Sequence, residues 1–91
     1  MYIVEATEEF EKQAKKVLSP SEQLRLEMLK NRLAENPYIG KPLGFTFFRE
    51  LKIGSKRAYY VIQEQNILLA LVGHKNDQQK HIALIRKKFG L

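Results

Sequence analysis

The spacing of apolar residues near the start of the chain predicts a short strand followed by a helix. Residues 2–6, YIVEA, form a short apolar stretch typical of a β-strand. Thr7 is suited to cap a helix, because its hydroxyl can accept a hydrogen bond from a free backbone N–H of the first turn. The apolar positions that follow recur at helical spacing and are Phe10, Ala14, Val17 and Leu18.

A second helix is predicted directly afterwards. Ser19, Pro20 and Glu22 have the spacing of a capping box with proline at the first helical position. This helix should end before Pro37, because the residue preceding a proline avoids helical geometry. Its apolar stripe consists of Leu26, Leu29 and Leu33. The join between the two helices is so short that they must form an antiparallel hairpin.

The second half of the chain changes to strand patterns. After a loop at residues 36–44, NPYIGKPLG, three strands are predicted, at residues 45–53, 56–63 and 66–73. Two-residue turns at Gly54–Ser55 and Glu64–Gln65 join these strands. A last helix, capped by Asn76 with Gln79, presents the apolar residues Ile82, Ile85 and Phe89.

The predicted order, β-α-α-β-β-β-α, corresponds to an α+β fold. We expect a two-layer sandwich in which the N-terminal strand and the helical hairpin pack on a small, mainly antiparallel sheet, followed by a C-terminal helix. A length of 91 residues fits a single domain over residues 1–91.

Charge is distributed unevenly between the two halves. Residues 1–44 contain seven basic and seven acidic residues, so the net charge of +6 arises entirely from residues 45–91. A one-sided basic excess favours a polyanionic partner, with nucleic acid preferred over the alternative that the charge serves solubility alone.

Several classes of protein are disfavoured by what the sequence lacks. It has no cysteine, and its two histidines do not have the spacing of metal ligands, so no metal and no cofactor are expected. No nucleotide-binding glycine motif and no nucleophile-elbow motif occurs. The N-terminus does not have the pattern of a signal peptide, and the longest apolar run is too short to cross a bilayer, so a cytoplasmic protein is expected.

The turn at Gly54–Ser55 sets a register that brings cations together. It pairs Lys52 with Arg57 and places both on one face of the sheet, which is predicted to be polar. That face carries Phe48, Glu50, Lys52, Arg57, Tyr59 and Val61. Like charges directly opposite each other destabilise a sheet by up to about 1 kcal/mol, whereas a bound phosphate backbone would compensate for them.

Further candidates for RNA binding surround this pair. Lys56 and Arg49 are cations set among aromatic residues, and Lys80 on the last helix extends the basic surface. Tyr59 has two interpretations. Its ring could stack on a nucleobase and its hydroxyl could contact a phosphate, or it could pack beneath the C-terminal helix.

Groups able to transfer protons lie in the same half of the chain. His74 and Lys75 follow the last strand, Glu50 lies beside the cation pair, and His81 lies on the last helix. Each histidine could also be a solvated bystander. Because RNA supplies its own nucleophile, the 2′-OH, an endonuclease needs only a base, an acid and positive charge near the phosphate.

The sequence resembles the RelE/ParE superfamily of toxins from toxin–antitoxin pairs. The resemblance covers nearly the whole chain and rests on the order of elements, the loop NPYIGKPLG, the segment RELKIGSKRAYYVI and the strand end LVGHK. It implies an antitoxin that wraps the toxin. It also implies either ribosome-dependent cleavage of mRNA in the A site, as in RelE-like members, or inhibition of DNA gyrase, as in ParE-like members.

The resemblance also implies roles for single residues. Arg57 matches an arginine that binds the scissile phosphate, Lys52 stands where many members have another arginine, and Lys75 matches a basic residue that stabilises the transition state. His74 falls near a catalytic histidine of some branches. His81 falls where RelE has a catalytic tyrosine, which this sequence lacks.

Three functional hypotheses follow. The favoured one is an mRNA interferase that leaves a 2′,3′-cyclic phosphate and a 5′-OH. The others are a gyrase inhibitor without catalysis and an inactive homologue that only binds an antitoxin. Glu50, His74 and His81 favour the first, because an inhibitor that only binds does not need proton-transfer groups.

Overall fold

A computed structural model describes all 91 residues and contains one mixed sheet and three α-helices. The strands are β1 (Ile3–Ala6), β2 (Lys41–Phe45), β3 (Phe48–Ile53), β4 (Lys56–Gln63) and β5 (Asn66–His74). The helices are α1 (Glu8–Val17), α2 (Pro20–Glu35) and α3 (Gln78–Phe89), with 3₁₀ turns at Pro37–Ile39 and Lys75–Asp77. The fold class is therefore α+β, as predicted.

The strands lie in the order β1-β5-β4-β3-β2. β1 runs parallel to β5, and every other neighbouring pair is antiparallel. The chain therefore returns from the helical hairpin to the far edge of the sheet and then crosses it strand by strand until β5 meets β1.

Side-chain caps begin both helices of the hairpin where the sequence predicted them. Thr7 Oγ1 accepts a hydrogen bond from the Phe10 N–H at 3.0 Å. Ser19 and Glu22 form the reciprocal capping box, in which Glu22 Oε1 accepts from the Ser19 N–H at 2.9 Å and Ser19 Oγ accepts from the Glu22 N–H at 3.2 Å. These bonds satisfy N–H groups that have no partner within the helix.

The main core lies between the helical hairpin, α1 and α2, and the sheet. It consists of 13 buried residues. They include Phe10 and Leu33 from the helices and Ile53, Tyr60 and Leu69 from the strands. Alternation along the strands points these side chains to the same face, so the hairpin and the sheet form the two layers that were predicted.

The opposite face of the sheet differs from its prediction. It was expected to be polar, yet α3 packs on it and covers a second, smaller core of five buried residues. These are Phe48, Tyr59, Val61, Ala70 and Ile85. The apolar stripe of α3, predicted as Ile82, Ile85 and Phe89, supplies the helical side of this core. We call this side of the sheet the α3 face.

The first predicted strand, at residues 45–53, is wrong as a single element. β2 ends at Phe45, a tight turn follows at Thr46–Phe47, and β3 begins at Phe48. β2 lies at the edge of the sheet, a position that tolerates Pro42 although proline has no backbone N–H to donate to a neighbouring strand. The order of elements is therefore β-α-α-β-β-β-β-α, with five strands.

The start of the last helix also differs from its prediction. The 3₁₀ turn Lys75–Asp77 precedes α3, which begins at Gln78, and Asp77 makes no side-chain capping bond there. Gly90 ends the helix in the left-handed conformation that glycine favours. No helix in the structure has the length and apolar character needed to cross a membrane.

Candidate functional site

The two cations predicted to be neighbours are neighbours. β3 and β4 pair Lys52 with Arg57 across the hairpin, as the Gly54–Ser55 turn predicted. The next strand, β5, places Gly73 beside Arg57. Three adjacent strands thus bring Lys52, Arg57 and Gly73 side by side on the α3 face.

Neither cation of this pair is neutralised by a carboxylate within ion-pair distance. Lys52 is exposed, and Arg57 is half-buried. The Arg57 guanidinium donates hydrogen bonds to the backbone carbonyls of Lys56, at 3.0 Å, and Gly54, at 3.4 Å. The β3–β4 hairpin therefore holds the guanidinium in place. Because its partners there are uncharged carbonyls, the positive charge can still attract an anion.

His81 reaches this row of residues from α3. Its imidazole lies so close to Gly73 that a β-carbon on that glycine would overlap the ring. Its Nδ1 atom is buried without a hydrogen-bond partner. Burial lowers the pKa of His81 below its ordinary value, and nearby Lys80 lowers it further while Asp77 opposes the shift. The imidazole is thus largely neutral at pH 7 and able to accept a proton.

Tyr59 lies beneath the same part of α3. Of the two interpretations of this residue, the structure shows the second, because Tyr59 is fully buried and its ring meets His81 edge-on at a centroid distance of 5.8 Å. Its hydroxyl has no hydrogen-bond partner. Burial raises the pKa of Tyr59 to about 12, aided by Glu50. An exposed stacking surface for a nucleobase is therefore not present in this conformation.

Glu50 connects the sheet to α3. It is buried, and its Oε2 accepts a hydrogen bond of 2.6 Å from Gln78 Nε2 in the first turn of the helix. Gln78 was not predicted from the sequence, because an amide at the start of a helix is typical of an ordinary surface residue. Gly73 was not predicted either, although its small size admits His81.

His74 ends β5 next to Gly73, and Lys75 follows it at the start of the 3₁₀ turn. His74 pairs with Lys56, and strand alternation directs its side chain away from the α3 face. It is exposed and lines a cleft of about 450 Å³ together with His81 and with Lys12 and Lys16 of α1. Lys75 is exposed, and its backbone N–H donates to the Ser55 carbonyl at 3.2 Å.

Arg49 and Lys56, predicted to bind RNA, make structural contacts. The Arg49 guanidinium donates to the carbonyls of Gly40, Thr46 and Tyr38. Both side chains point to the side of the sheet that packs against α1 and α2, because they alternate along the strands with Lys52 and Arg57. An exposed RNA-binding surface containing Arg49 and Lys56 is thus not what the structure shows.

Lys56 is buried, and its ammonium group forms an ion pair. Its Nζ lies 3.2 Å from Glu22 Oε1, at the N-terminus of α2, and 3.3 Å from Ser55 Oγ. The fourth predicted RNA-binding residue, Lys80, is exposed on α3 and remains a candidate.

The cluster on the α3 face combines the groups needed for anion binding and proton transfer. It holds two unpaired cations, a largely neutral imidazole, a protonated phenol and a carboxylate. No group of three or more potential metal-ligating side chains comes together in the structure. The positive charges of Lys52 and Arg57 can attract an anion to this face of the sheet.

Comparison with known proteins relates this architecture to one group of solved structures. No protein-family model and no curated protein sequence matches the chain. A mutant of the E. coli toxin RelE in the free state matches with a TM-score of 0.76 at 21% identity, over 93% of this chain and 96% of that one.

The chain has a RelE-like fold. The RelBE2 toxin–antitoxin complex from Mycobacterium tuberculosis matches with a TM-score of 0.69 at 22% identity, over 81% of this chain and 98% of that one. YafQ from E. coli strain BL21(DE3) matches with a TM-score of 0.63 at 17% identity, over 86% of this chain and 98% of that one. The RelE-like fold thus spans most of the chain in each comparison.

Proposed function

We propose that this protein is the toxin of a toxin–antitoxin pair and that it cleaves mRNA on the ribosome. The observation that carries the proposal is the adjacency of Lys52, Arg57 and His81 on the α3 face. Two unpaired cations beside an imidazole of lowered pKa suit a phosphodiester better than a neutral ligand. The RelE-like fold supports the same assignment.

The proposed reaction needs no metal. His81 takes the proton of the RNA 2′-OH, and the 2′ oxygen attacks the adjacent phosphorus, forming a new P–O bond. The bond from phosphorus to the 5′ oxygen breaks, and that oxygen takes a proton from water. The products are a 2′,3′-cyclic phosphate and a 5′-OH.

Lys52 and Arg57 stabilise the additional negative charge that develops on the phosphate oxygens. Arg57 contributes most, because a guanidinium can grip two oxygens at once. The exposed Lys75 and Lys80 hold the flanking RNA backbone, and Glu50 orients the first turn of α3 through Gln78. The ribosome positions the mRNA, so the site of action is the cytoplasm.

The partner we propose is an acidic antitoxin. The M. tuberculosis structure is a complex of toxin and antitoxin, and the basic half of this chain would attract an acidic protein. An unguarded ribonuclease would harm its own cell, which is the functional reason for such a partner.

Induced expression of the chain in a bacterium tests the proposal, with pulse labelling of protein and DNA synthesis. Protein synthesis should stop first, and mapping of mRNA ends should reveal cuts within translated codons that are absent from ribosome-free RNA. The Arg57→Ala variant should abolish both effects. Arrest of DNA synthesis with intact mRNA would instead assign the protein as a gyrase inhibitor.

A further inference from the structure

Two side-chain polar atoms are buried without a hydrogen-bond partner, and both lie where α3 packs on the sheet. They are the hydroxyl oxygen of Tyr59 and Nδ1 of His81. The two rings meet edge-on, with their centroids 5.8 Å apart. Most buried polar atoms in proteins have a partner, because leaving one unpaired is costly. Two unpaired atoms in neighbouring rings therefore indicate a hydrogen bond that forms in another protonation state of the protein.

The two nitrogens of the His81 ring have different surroundings. The Cε1 edge of the ring faces Gly73, and a β-carbon on that glycine would lie 3.2 Å from each nitrogen. Nδ1 is buried, whereas the ring as a whole lines the open cleft beside α1. This orientation leaves Nε2 for a ligand and keeps Nδ1 inside the protein.

A carboxylate lies on the other side of Tyr59. Glu50 pairs with Tyr59 across β3 and β4, so both side chains stand on the α3 face. Glu50 Oε2 accepts a hydrogen bond from Gln78, which leaves Oε1 for Tyr59. Burial, aided by the charge of Glu50, raises the pKa of Tyr59 to about 12. The hydroxyl therefore keeps its proton and can donate a hydrogen bond to the carboxylate.

We infer that Tyr59 is a positioning residue that links Glu50 to His81. When the imidazole becomes protonated, its Nδ1–H donates to the Tyr59 hydroxyl oxygen, and the hydroxyl donates to Glu50 Oε1. The inference rests on the proposed function for the role of His81 as the base. In that reaction Nε2 takes the proton of the RNA 2′-OH, Nδ1 keeps its own proton, and the phenol proton stays on Tyr59.

The link stabilises the charged form of His81. An imidazolium is favoured by a hydrogen bond from its N–H and by a negative charge nearby, and Tyr59 with Glu50 supplies both. Hydrogen bonds of this kind are often poorly formed in a free enzyme and tighten as the reaction proceeds. An interaction that forms only as charge develops accelerates the chemical step rather than substrate binding.

Other charged groups also surround the His81 ring. Asp77 raises the pKa of His81 and Lys80 lowers it, although burial has the largest effect. The cleft beside the ring also contains Glu9, Lys12, Lys16 and His74. None of these residues is changed in the variants below, so a difference between variants reports on Tyr59 and Glu50.

An NMR titration of the His81 ring tests the link without RNA. Tyr59→Phe should lower the pKa of His81 by about one unit relative to the wild type, because the imidazolium loses its partner. Glu50→Gln should lower it as well, although the new amide oxygen can still accept from Gln78. An unchanged pKa of His81 in Tyr59→Phe would overturn the link.

Tyr60→Phe is the matched control for this titration. Tyr60 is as buried as Tyr59, but it belongs to the core on the other face of the sheet. Its hydroxyl bonds to Pro37 and Gly40, far from the His81 ring in the fold. Tyr60→Phe should therefore leave the pKa of His81 unchanged. A shift equal to that of Tyr59→Phe would mean that general loosening of the structure is the cause, which contradicts the link.

The double variant Tyr59→Phe/Glu50→Gln separates a link from two independent effects. If the carboxylate acts through the phenol, the double variant should have nearly the same His81 pKa as Tyr59→Phe alone. Additive shifts would show that Glu50 acts on the imidazole directly, and Tyr59 would then not be its link.

Cleavage kinetics on ribosomes separate this inference from the proposed function. Tyr59→Phe should lower kcat by about 10–100-fold with KM unchanged, and the acidic limb of its pH profile should move to lower pH. If the wild type cleaves no RNA but the NMR shift is present, the proposed function fails and the link stands. If the wild type cleaves RNA and Tyr59→Phe keeps its kcat and pH profile, the link fails alone.

Discussion

The imidazole of His81 lies directly against Gly73, the residue that pairs with Arg57 across the sheet. This contact brings the imidazole of α3, which can accept a proton, close to Lys52 and Arg57 of the β3–β4 hairpin. The glycine is required for its size alone, because its backbone φ is not in the left-handed region. Adding a single methyl group at this position therefore requires the His81 ring, or α3 with it, to move.

Gly73→Ala should lower the free energy of unfolding by about 1–3 kcal/mol, because the new methyl group overlaps the His81 ring. The measurement is urea denaturation of the single variants and of Gly73→Ala/His81→Ala. Removing the ring first should relieve most of the cost of the alanine, giving a coupling energy of about 1–2 kcal/mol. Additive effects would show that the two residues do not meet.

Tyr59 and Tyr60 provide a matched test of their hydroxyl groups. Both rings are fully buried on neighbouring positions of β4, but Tyr60 Oη donates to the Pro37 carbonyl at 2.6 Å and accepts from the Gly40 N–H at 3.1 Å. The Tyr59 hydroxyl has no partner. Tyr60→Phe should cost about 1–3 kcal/mol, while Tyr59→Phe should be neutral or stabilise by up to about 1 kcal/mol.

Thermal or urea unfolding of the two phenylalanine variants makes that comparison. A large loss of stability for Tyr59→Phe would mean that its hydroxyl has a partner in solution. If Tyr59→Phe keeps its stability but loses RNA cleavage, the hydroxyl serves the reaction.

The sequence was sufficient to predict elements whose causes are local. The caps at Thr7 and Ser19, the two-residue turn at Gly54–Ser55 and the pairing of Lys52 with Arg57 follow from neighbouring residues alone. β2 was missed because its pairing with β3 depends on a bulge between Pro42 and Phe45. Pro42 and Gly44 were predicted to be loop residues, but both lie in the edge strand β2, where proline is tolerated.

The sequence could offer burial beneath α3 only as one of two interpretations of Tyr59, because this burial depends on a helix distant in sequence. The alternation of residues along β4 correctly places Tyr59 on the same face as Arg57. It does not reveal that α3 covers the ring, since the position of a terminal helix is set by tertiary packing. For the same reason Arg49 and Lys56 read as free cations until their carbonyl and carboxylate partners are known.

Arg57 should be the more sensitive of the two cations of the candidate site. Arg57→Ala should lower the rate of mRNA cleavage on ribosomes by about 10²–10³-fold, as for loss of a group that stabilises transition-state charge. Lys52→Ala should cost less, because an ammonium makes a single contact at each oxygen. Arg25→Ala on α2 is the control and should cleave normally. Equal rates for Arg57→Ala and the wild type would exclude the Lys52–Arg57 pair as the phosphate site.

Cleavage should depend on pH through His81. A general base must be unprotonated, so the rate should be constant near pH 7 and fall as the pH drops through a pKa below the ordinary histidine value of 6.5. Tyr59, Asp77 and Lys80 lie near the ring, and the cleft that His81 lines also contains Glu9, Lys12, Lys16 and His74. His81→Gln should remove this dependence along with most of the activity. An unchanged pH profile in that variant would assign the base elsewhere.

The ion pair between Glu22 and Lys56 should make the protein sensitive to acid. The Ser19 N–H and Lys56 hold the pKa of Glu22 below its ordinary value of 4.5, although burial opposes the shift. The stability that this pair contributes is therefore complete above pH 4.5 and is lost as the pH falls through the lowered pKa. Glu22→Gln should unfold more easily at pH 7 yet lose less stability between pH 5 and 3 than the wild type, as measured by urea denaturation at each pH.

The parallel pairing of β1 with β5 controls when the molecule becomes complete during synthesis. Thr7 donates a hydrogen bond to the Ala70 carbonyl, 63 positions later in the chain. The β3–β4 hairpin can form early from local contacts, but the N-terminal strand has no place in the sheet until β5 exists. His81 follows later still, on α3. A nascent chain therefore lacks the assembled cluster of Lys52, Arg57 and His81 until α3 has been synthesised and can pack on the sheet.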